Sequence, residues 1–210
     1  MNYNIIATGS SGNAVLLDGF ILIDIGISYR KLEPYVNQIA VVMLTHRHGD
    51  HLNKGTLRQL LDNRPTIRVA CPLHLLEDVM DLNIKNLDPI VSGKMYDYKA
   101  FEIEAVDLFH NVPNVGYKLK IGKERALYAT DTNRLDHIDA KGYDYYFLEA
   151  NWDEDKIEEI IAYKELEGEF AHERQSMENH MSLQKTMDYI CSNAGNNSQY
   201  VLLHQSKSSM

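Results

Sequence analysis

Residues 44–52 read Leu-Thr-His-Arg-His-Gly-Asp-His-Leu, so His46, His48, Asp50 and His51 fall within six positions. The run follows Ile39–Leu44, a continuous apolar stretch of the kind a strand buried on both faces requires. In a chain with nine histidines and sixteen aspartates, an H-x-H-x-D-H string arises by chance in roughly one sequence in a thousand. Imidazole and carboxylate are ligands for zinc, and also for manganese or iron. A loop leaving a buried strand can aim several of them together. His46 and His48 share one direction, and Asp50 and His51 can turn to a second point nearby. The fold must therefore present a ligand-bearing loop at a strand end.

Three more candidates share that context. His110 follows the half-buried strand pattern Phe101–Val106, in which Phe101, Ile103 and Ala105 alternate with Glu102 and Glu104. Asp131 follows the apolar run Ala126–Thr130, and His204 ends the final strand pattern Gln199–Leu203. His74, His137 and His172 lack a strand-end context and read as surface or helix residues.

Between these points the pattern is mixed. Strands are expected at Asn4–Thr8, at Ala14–Asp18 and Phe20–Asp24 around the hairpin dipeptide Asp18-Gly19, and at Thr66–Ala70, Val115–Ile121 and Tyr145–Glu149. Helices are expected at Leu52–Asp62, from Pro72 to about Asp81, at Asp153–Glu167, and from Leu183 to about Asn193 with Ser182 as cap. No repeat or Pro/Gly-rich linker divides the chain, which predicts one domain over residues 1–210, with mixed sheets covered by helices on their outer faces.

The formal net charge is −9, which argues against coating nucleic acid by bulk charge. It leaves room for gripping a phosphate locally through metal ions. Lys54, Arg58, Arg64 and Arg68 form a basic strip after the metal loop, read first as a solvated helix face. Gly9–Asn13 is Gly- and Ser-rich but lacks the lysine and following helix of a phosphate loop. Tyr143, Tyr145, Tyr146 and Trp152 read as core more than as a stacking platform. Cys71 and Cys191 have no metal-like spacing and read as free thiols of a reducing compartment. No signal peptide or membrane-length apolar run is visible, so the expectation is a cytoplasmic protein without a membrane partner; homo-oligomer formation is left open.

Asp24, His46-x-His48-x-Asp50-His51, His110, Asp131 and His204, taken in order, resemble the motif series of the metallo-β-lactamase superfamily. The resemblance implies an αββα four-layer sandwich with two mixed β-sheets and a binuclear site. It implies a first ion, Zn²⁺ or Mn²⁺ with iron as an alternative, on His46, His48, His110 and Asp131. It implies a second on Asp50, His51, Asp131 and His204, with Asp131 bridging. Asp24 would orient the ligand loop from behind. Thr8-Gly9-Ser10-Ser11-Gly12-Asn13, Leu148-Glu149-Ala150-Asn151, His180-Met181-Ser182 and His204-Gln205-Ser206-Lys207 are similar to the YycJ-type branch, whose members are regarded as DNA exonucleases. That pattern usually has His where this chain has Trp152. The His180 segment also resembles that of the ribonuclease Z branch.

The chemistry expected is hydrolysis of a phosphodiester, in nucleic acid or a nucleotide, by a hydroxide bridging two ions. The ions would make the site cationic within an acidic protein. Asp50 would hold the proton of the nucleophilic water, His180 would be the general acid, and Glu149 would orient His180. The alternatives are a cyclic-nucleotide phosphodiesterase, a thioester or lactam hydrolase, and a metal-binding module without turnover.

Overall fold

The first three strands form a meander of β1 (Tyr3–Ala7), β2 (Ala14–Leu17) and β3 (Ile21–Ile23) in this computed structural model, which describes residues 1–206. Lys207, the end of one quoted segment, lies outside the described residues. Asp18 and Gly19 have φ of 45° and 76°, the two left-handed positions of a type I′ turn, and this closes the β2–β3 hairpin. β3 then pairs in parallel with β4 (Val41–Met43), β4 with β5 (Arg68–Pro72) and β5 with β6 (Leu87–Ile90). The result is one mixed six-stranded sheet in sequential order. Every residue of β4 is buried, as the apolar run requires.

This sheet belongs to a compact unit, Met1–Lys94. Its helices are α1 (Tyr29–Leu32), α2 (Lys54–Asn63) and α3 (Leu76–Val79). Asn53 caps α2 by accepting from Thr56 N at 3.0 Å, which places the helix start two residues later than the apolar pattern suggested. Leu57 and Leu60 of α2 pack into a core with Leu16, Leu22, Val42 and Val69. The helix expected from Pro72 differs. Pro72 has ψ 146°, pairs with Ile90 and ends β5, and the segment beyond it breaks into 3₁₀ turns on both sides of α3.

The second unit runs from Met95 onward. It holds β7 (Met95–Asp97), β8 (Phe101–Leu108), β9 (Asn114–Ile121), β10 (Glu124–Ala129), β11 (Tyr145–Glu149) and β12 (Gln199–Leu203) in one sheet ordered β12-β11-β10-β9-β8-β7. β7 to β10 pair antiparallel, and β10, β11 and β12 pair parallel. β8, β10, β11 and β12 therefore run in one direction and bring their carboxyl ends to one edge. Along β8, Phe101, Ile103 and Ala105 are buried, while Glu102 faces Lys120 across the ladder at 2.8 Å. α4 (Glu154–Leu166), α5 (Glu173–Asn179) and α6 (Leu183–Asn193) complete the unit, with Asp153 and Ser182 capping α4 and α6. Met181 and Ile190 pack with Leu127, Tyr146 and Leu148, and Trp152, Ile157, Ile161 and Ala171 form a small separate cluster. Both sheets are mixed and carry helices, the α/β class expected. Among the described residues no helix is long and apolar enough to cross a membrane.

Both cysteines are free. Cys71 is fully buried in β5, and burial, helped by the negative charge of Asp78, pushes its thiol up to about 12. Cys191 is exposed. Alkylation of the folded protein, read by mass spectrometry, is therefore expected at Cys191 alone, with Cys71 reacting only in denaturant. A thiol raised from 9.0 when folded favours the folded state below about pH 9 and loses that contribution as pH rises towards 12.

Candidate metal centre

In the first unit the ligand loop is built on Asp24. This residue follows β3 with φ 60° and is fully buried. Its carboxylate accepts from Thr45 N at 3.0 Å, from Thr45 Oγ1 at 2.9 Å and from His51 Nδ1 at 2.6 Å. The Thr45 hydroxyl hydrogen is used on Asp24, so its oxygen accepts from His46 Nδ1 at 3.1 Å. The network thereby assigns hydrogens to Nδ1 of His46 and of His51 and leaves a lone pair on each Nε2, the state a metal ligand needs. His46 Nε2 lies 3.2 Å from His48 Nδ1, and His51 Nε2 lies 3.6 Å from Asp50 Oδ2. The four loop residues singled out in the sequence thus converge, with Asp24 beneath them.

Two supports of this loop were not legible as such. A Cβ on Gly26 would stand 1.7 Å from Asp50 O, so the loop backbone rests where only glycine fits. His74, read above as a surface or helix residue, is half-buried, and its Nε2 lies 3.0 Å from Thr45 O. His74 lies in the 3₁₀ turn after β5, and the parallel β4–β5 pairing explains the contact, because it sets the turn after β5 beside the turn after β4. His137 and His172 are exposed, as expected.

In the second unit the shared strand direction gathers His110, Asp131, Glu149 and His204. Asp131 and His204 leave their strands with φ of 59° and 51°. Three imidazole nitrogens face Asp131 Oδ1: His204 Nε2 at 3.5 Å, His110 Nε2 at 3.8 Å and His180 Nδ1 at 3.9 Å. These separations exceed a hydrogen bond. They approach the spacing of about 3.3 Å between neighbouring ligands on a tetrahedral ion with bonds of about 2.0–2.1 Å. His110, Asp131 and His180 form one group of ligand atoms within 4.8 Å of one another, and Glu149, His180 and His204 form a second. The donor set and its spacing fit a divalent cation.

Glu149, at the end of β11, is 1% exposed and joins these groups. It accepts from Thr132 N at 2.5 Å and from His180 Nδ1 at 2.9 Å. Trp152 is buried and donates from Nε1 to His180 O at 3.1 Å, fixing the backbone of the residue at the end of α5. The His180 side chain is 15% exposed, against 2% for His110 and 5% for His204, so it is the one of the three open to solvent. Asn151 Nδ2 lies 3.1 Å from His204 Nδ1 and Glu149 Oε2 lies 3.8 Å from it.

The basic strip is partly neutralised, with two carboxylates against its four cations. Arg58 and Lys54 face Asp81 at 3.0 and 4.0 Å, Arg68 is paired with Asp88, and Arg64 donates to Val36 O. Tyr145, Tyr146 and Trp152 are buried, in keeping with the core reading.

Residues 20–204 match the β-lactamase superfamily domain. The chain belongs to this superfamily. Among solved structures, the metallo-β-lactamase fold protein YhfI from Bacillus subtilis superposes with a TM-score of 0.75 at 17% identity, covering 98% of this chain and 86% of that one. Human tRNase Z, short form, gives 0.73 at 18% identity over 99% of this chain and 93% of its own. Zn²⁺-bound PqqB from Methylobacterium extorquens gives 0.74 at 11% identity over 100% and 90%. At these identities the likeness carries the fold. No curated protein sequence matches the chain.

Proposed function

We propose that this protein is a binuclear metal-dependent phosphodiesterase acting on nucleic acid or a nucleotide, in the manner of a DNA exonuclease. The observation that carries the reading is the His180–Glu149 pair, a solvent-accessible imidazole hydrogen-bonded at 2.9 Å to a buried carboxylate beside Asp131. Superfamily membership, a Zn²⁺-bound relative and a tRNase relative of the same fold support it.

His46, His48, His110 and Asp131 would hold one divalent ion, zinc or manganese. Asp50, His51, Asp131 and His204 would hold the other, with residues 1–210 acting as one domain. Bound there, the ions would supply a water acidified towards neutral pH and positive charge against the phosphoryl oxygens. The chain's own residues do the rest. Asp24 and Thr45 keep the histidine lone pairs facing outward, and Asp50 takes the proton of the attacking water. Glu149 stabilises the protonated form of His180, which gives its proton to the leaving oxygen. No residue pattern supports a carbonyl-binding pocket for a thioester or lactam. The cytoplasm is the proposed location.

Purification without chelator is expected to yield close to two transition-metal ions per chain by elemental analysis. The loaded protein is expected to cleave bis-p-nitrophenyl phosphate and at least one of linear DNA, RNA or a cyclic nucleotide, and to leave a β-lactam and a thioester intact. Turnover of the last two with every phosphodiester inert would refute the reading, as would failure to bind metal. One ion per chain would make the centre mononuclear.

A further inference from the structure

Three asparagines are buried among the described residues, at 2% (Asn13), 3% (Asn114) and 5% (Asn151) exposure. Each gives its side-chain amide to the backbone carbonyl of a residue assigned above as a ligand. Asn13 Nδ2 donates to Asp50 O at 3.2 Å, Asn114 Nδ2 to Asp131 O at 2.7 Å and Asn151 Nδ2 to His204 O at 2.9 Å. We propose that these three asparagines are positioning residues of the metal centre, holding the ligand turns through their carbonyls. The inference rests on the ligand assignment in the preceding section.

The backbone explains why such clamps are needed. Asp131 and His204 sit at φ 59° and 51°, a left-handed conformation that strains an L-residue through its Cβ. It also turns their carbonyls out of the strand ladder, where a buried oxygen must find another donor. Asn114 answers both demands at once, since its amide also donates to Thr130 O at 2.9 Å and so spans the turn.

The choice of amide is itself informative. Two carbonyls in front of Asn114 Nδ2 require the NH₂ group there, whichever way the amide is drawn. The Oδ1 atoms of Asn114 and Asn151 have no hydrogen-bond partner among the described residues, so these side chains are kept for their donors. Asn13 is oriented the other way round. Gly9 N donates to its Oδ1 at 2.9 Å, which turns the NH₂ to the ligand loop, within 3.3 Å of Asp50 Oδ2 and 2.8 Å of His51 Nε2. Its own backbone N donates to Asp50 O at 2.7 Å. Hydroxyl or carboxylate side chains could not supply two hydrogens from one atom.

Asn114 is the cleanest test, because its side-chain amide bonds to the carbonyls of Thr130 and Asp131 rather than to a ligand side chain. Asn114→Ala removes both donors and Asn114→Ser keeps one. Zinc affinity is read by chelator competition, and melting temperature is read with and without zinc. Asn114→Ala is expected to weaken zinc binding about 10–100-fold, the usual effect of losing an outer-sphere support, with Asn114→Ser between it and the native chain. The rise in melting temperature on adding zinc should shrink in the same order. In an Asp131→Ala background, Asn114→Ala should weaken zinc no further. Unchanged affinity with equal loss of melting temperature in both states would make Asn114 structural and overturn the inference. Should Asn114→Ala not fold, Asn13→Ala and Asn151→Ala carry the same measurement, and native affinity in both overturns it. Retention of both ions by Asp131→Ala would instead overturn the ligand assignment.

Discussion

Asp131→Ala is expected to lose metal and activity together, leaving a protein whose melting temperature no longer responds to added zinc. Its Oδ1 has three imidazole nitrogens within 3.9 Å, and two of them, on His204 and His110, belong to proposed ligands. In the proposed centre it is the one residue common to both ions, and its removal takes a ligand from each. An ion that binds the folded state alone stabilises it by about 4 kcal/mol at a thousandfold excess over its dissociation constant. The variant should forfeit that term, which calorimetry with and without zinc measures directly. In the metal-free state the expectation reverses in emphasis. Alanine at φ 59° keeps the strain of the turn, while the buried carboxylate is gone, so the metal-free variant should melt close to the metal-free native protein. Two ions per chain in Asp131→Ala would overturn the bridging assignment, and exactly half the native content would show that Asp131 serves one ion only.

The parts of this architecture visible in the sequence are those where one residue type in one pattern has one physical use. H-x-H-x-D-H after a run of buried apolar residues admits few readings, and β4 with its loop appears where that pattern lies. The strand behind Asp131 ends in four buried residues and the one behind His204 ends in the apolar run Val201–Leu203, so their ends could be located. β6 and β7 were not visible because both are sheet edges. Asp88 and Pro89 lie in β6, and a proline is tolerated where no partner strand follows. β7 is three residues long and mostly exposed. Helix α5 was also missed, since Glu173–Asn179 has no apolar period, and its short span is tied to α4 by Lys164 with Glu173 and by Arg174 with Glu165. The supports of the site were hidden for a different reason. Asn114, Asn151 and His74 act through backbone carbonyls, and a carbonyl leaves no mark in a sequence. Their roles follow from where the strands end, which pairing and register decide. Glu149 and His180 lie between these cases, since motif resemblance singled them out and the 2.9 Å hydrogen bond brings them together.

His180→Ala separates proton transfer from metal binding. In the proposed scheme His180 is not a ligand, so the variant should keep both ions and a near-native melting temperature. Cleavage of an alkyl phosphodiester should slow by about 10²–10⁴-fold, the usual contribution of a positioned general acid. The loss should be much smaller on a p-nitrophenyl ester, whose leaving oxygen needs no proton in the transition state. Glu149→Gln extends the test, because it removes the charge that favours protonated His180 while keeping an acceptor within reach of Nδ1. The basic limb of the pH–rate profile should move to lower pH, since imidazolium without its carboxylate partner loses its proton more readily. Geometry leaves a definite rival. His180 Nδ1 stands 3.9 Å from Asp131 Oδ1, against 3.5 and 3.8 Å for the two histidines assigned as ligands. If His180→Ala drops one ion, His180 is a ligand, and His204, whose Nδ1 faces the Asn151 amide at 3.1 Å, becomes the candidate proton carrier. Equal rate losses on both esters with the metal retained would assign His180 to substrate positioning. The electrostatic logic favours the first outcome, because a ligand needs its lone pair turned to the ion, and the His180 nitrogen nearest Asp131 already directs its hydrogen to Glu149 at 2.9 Å.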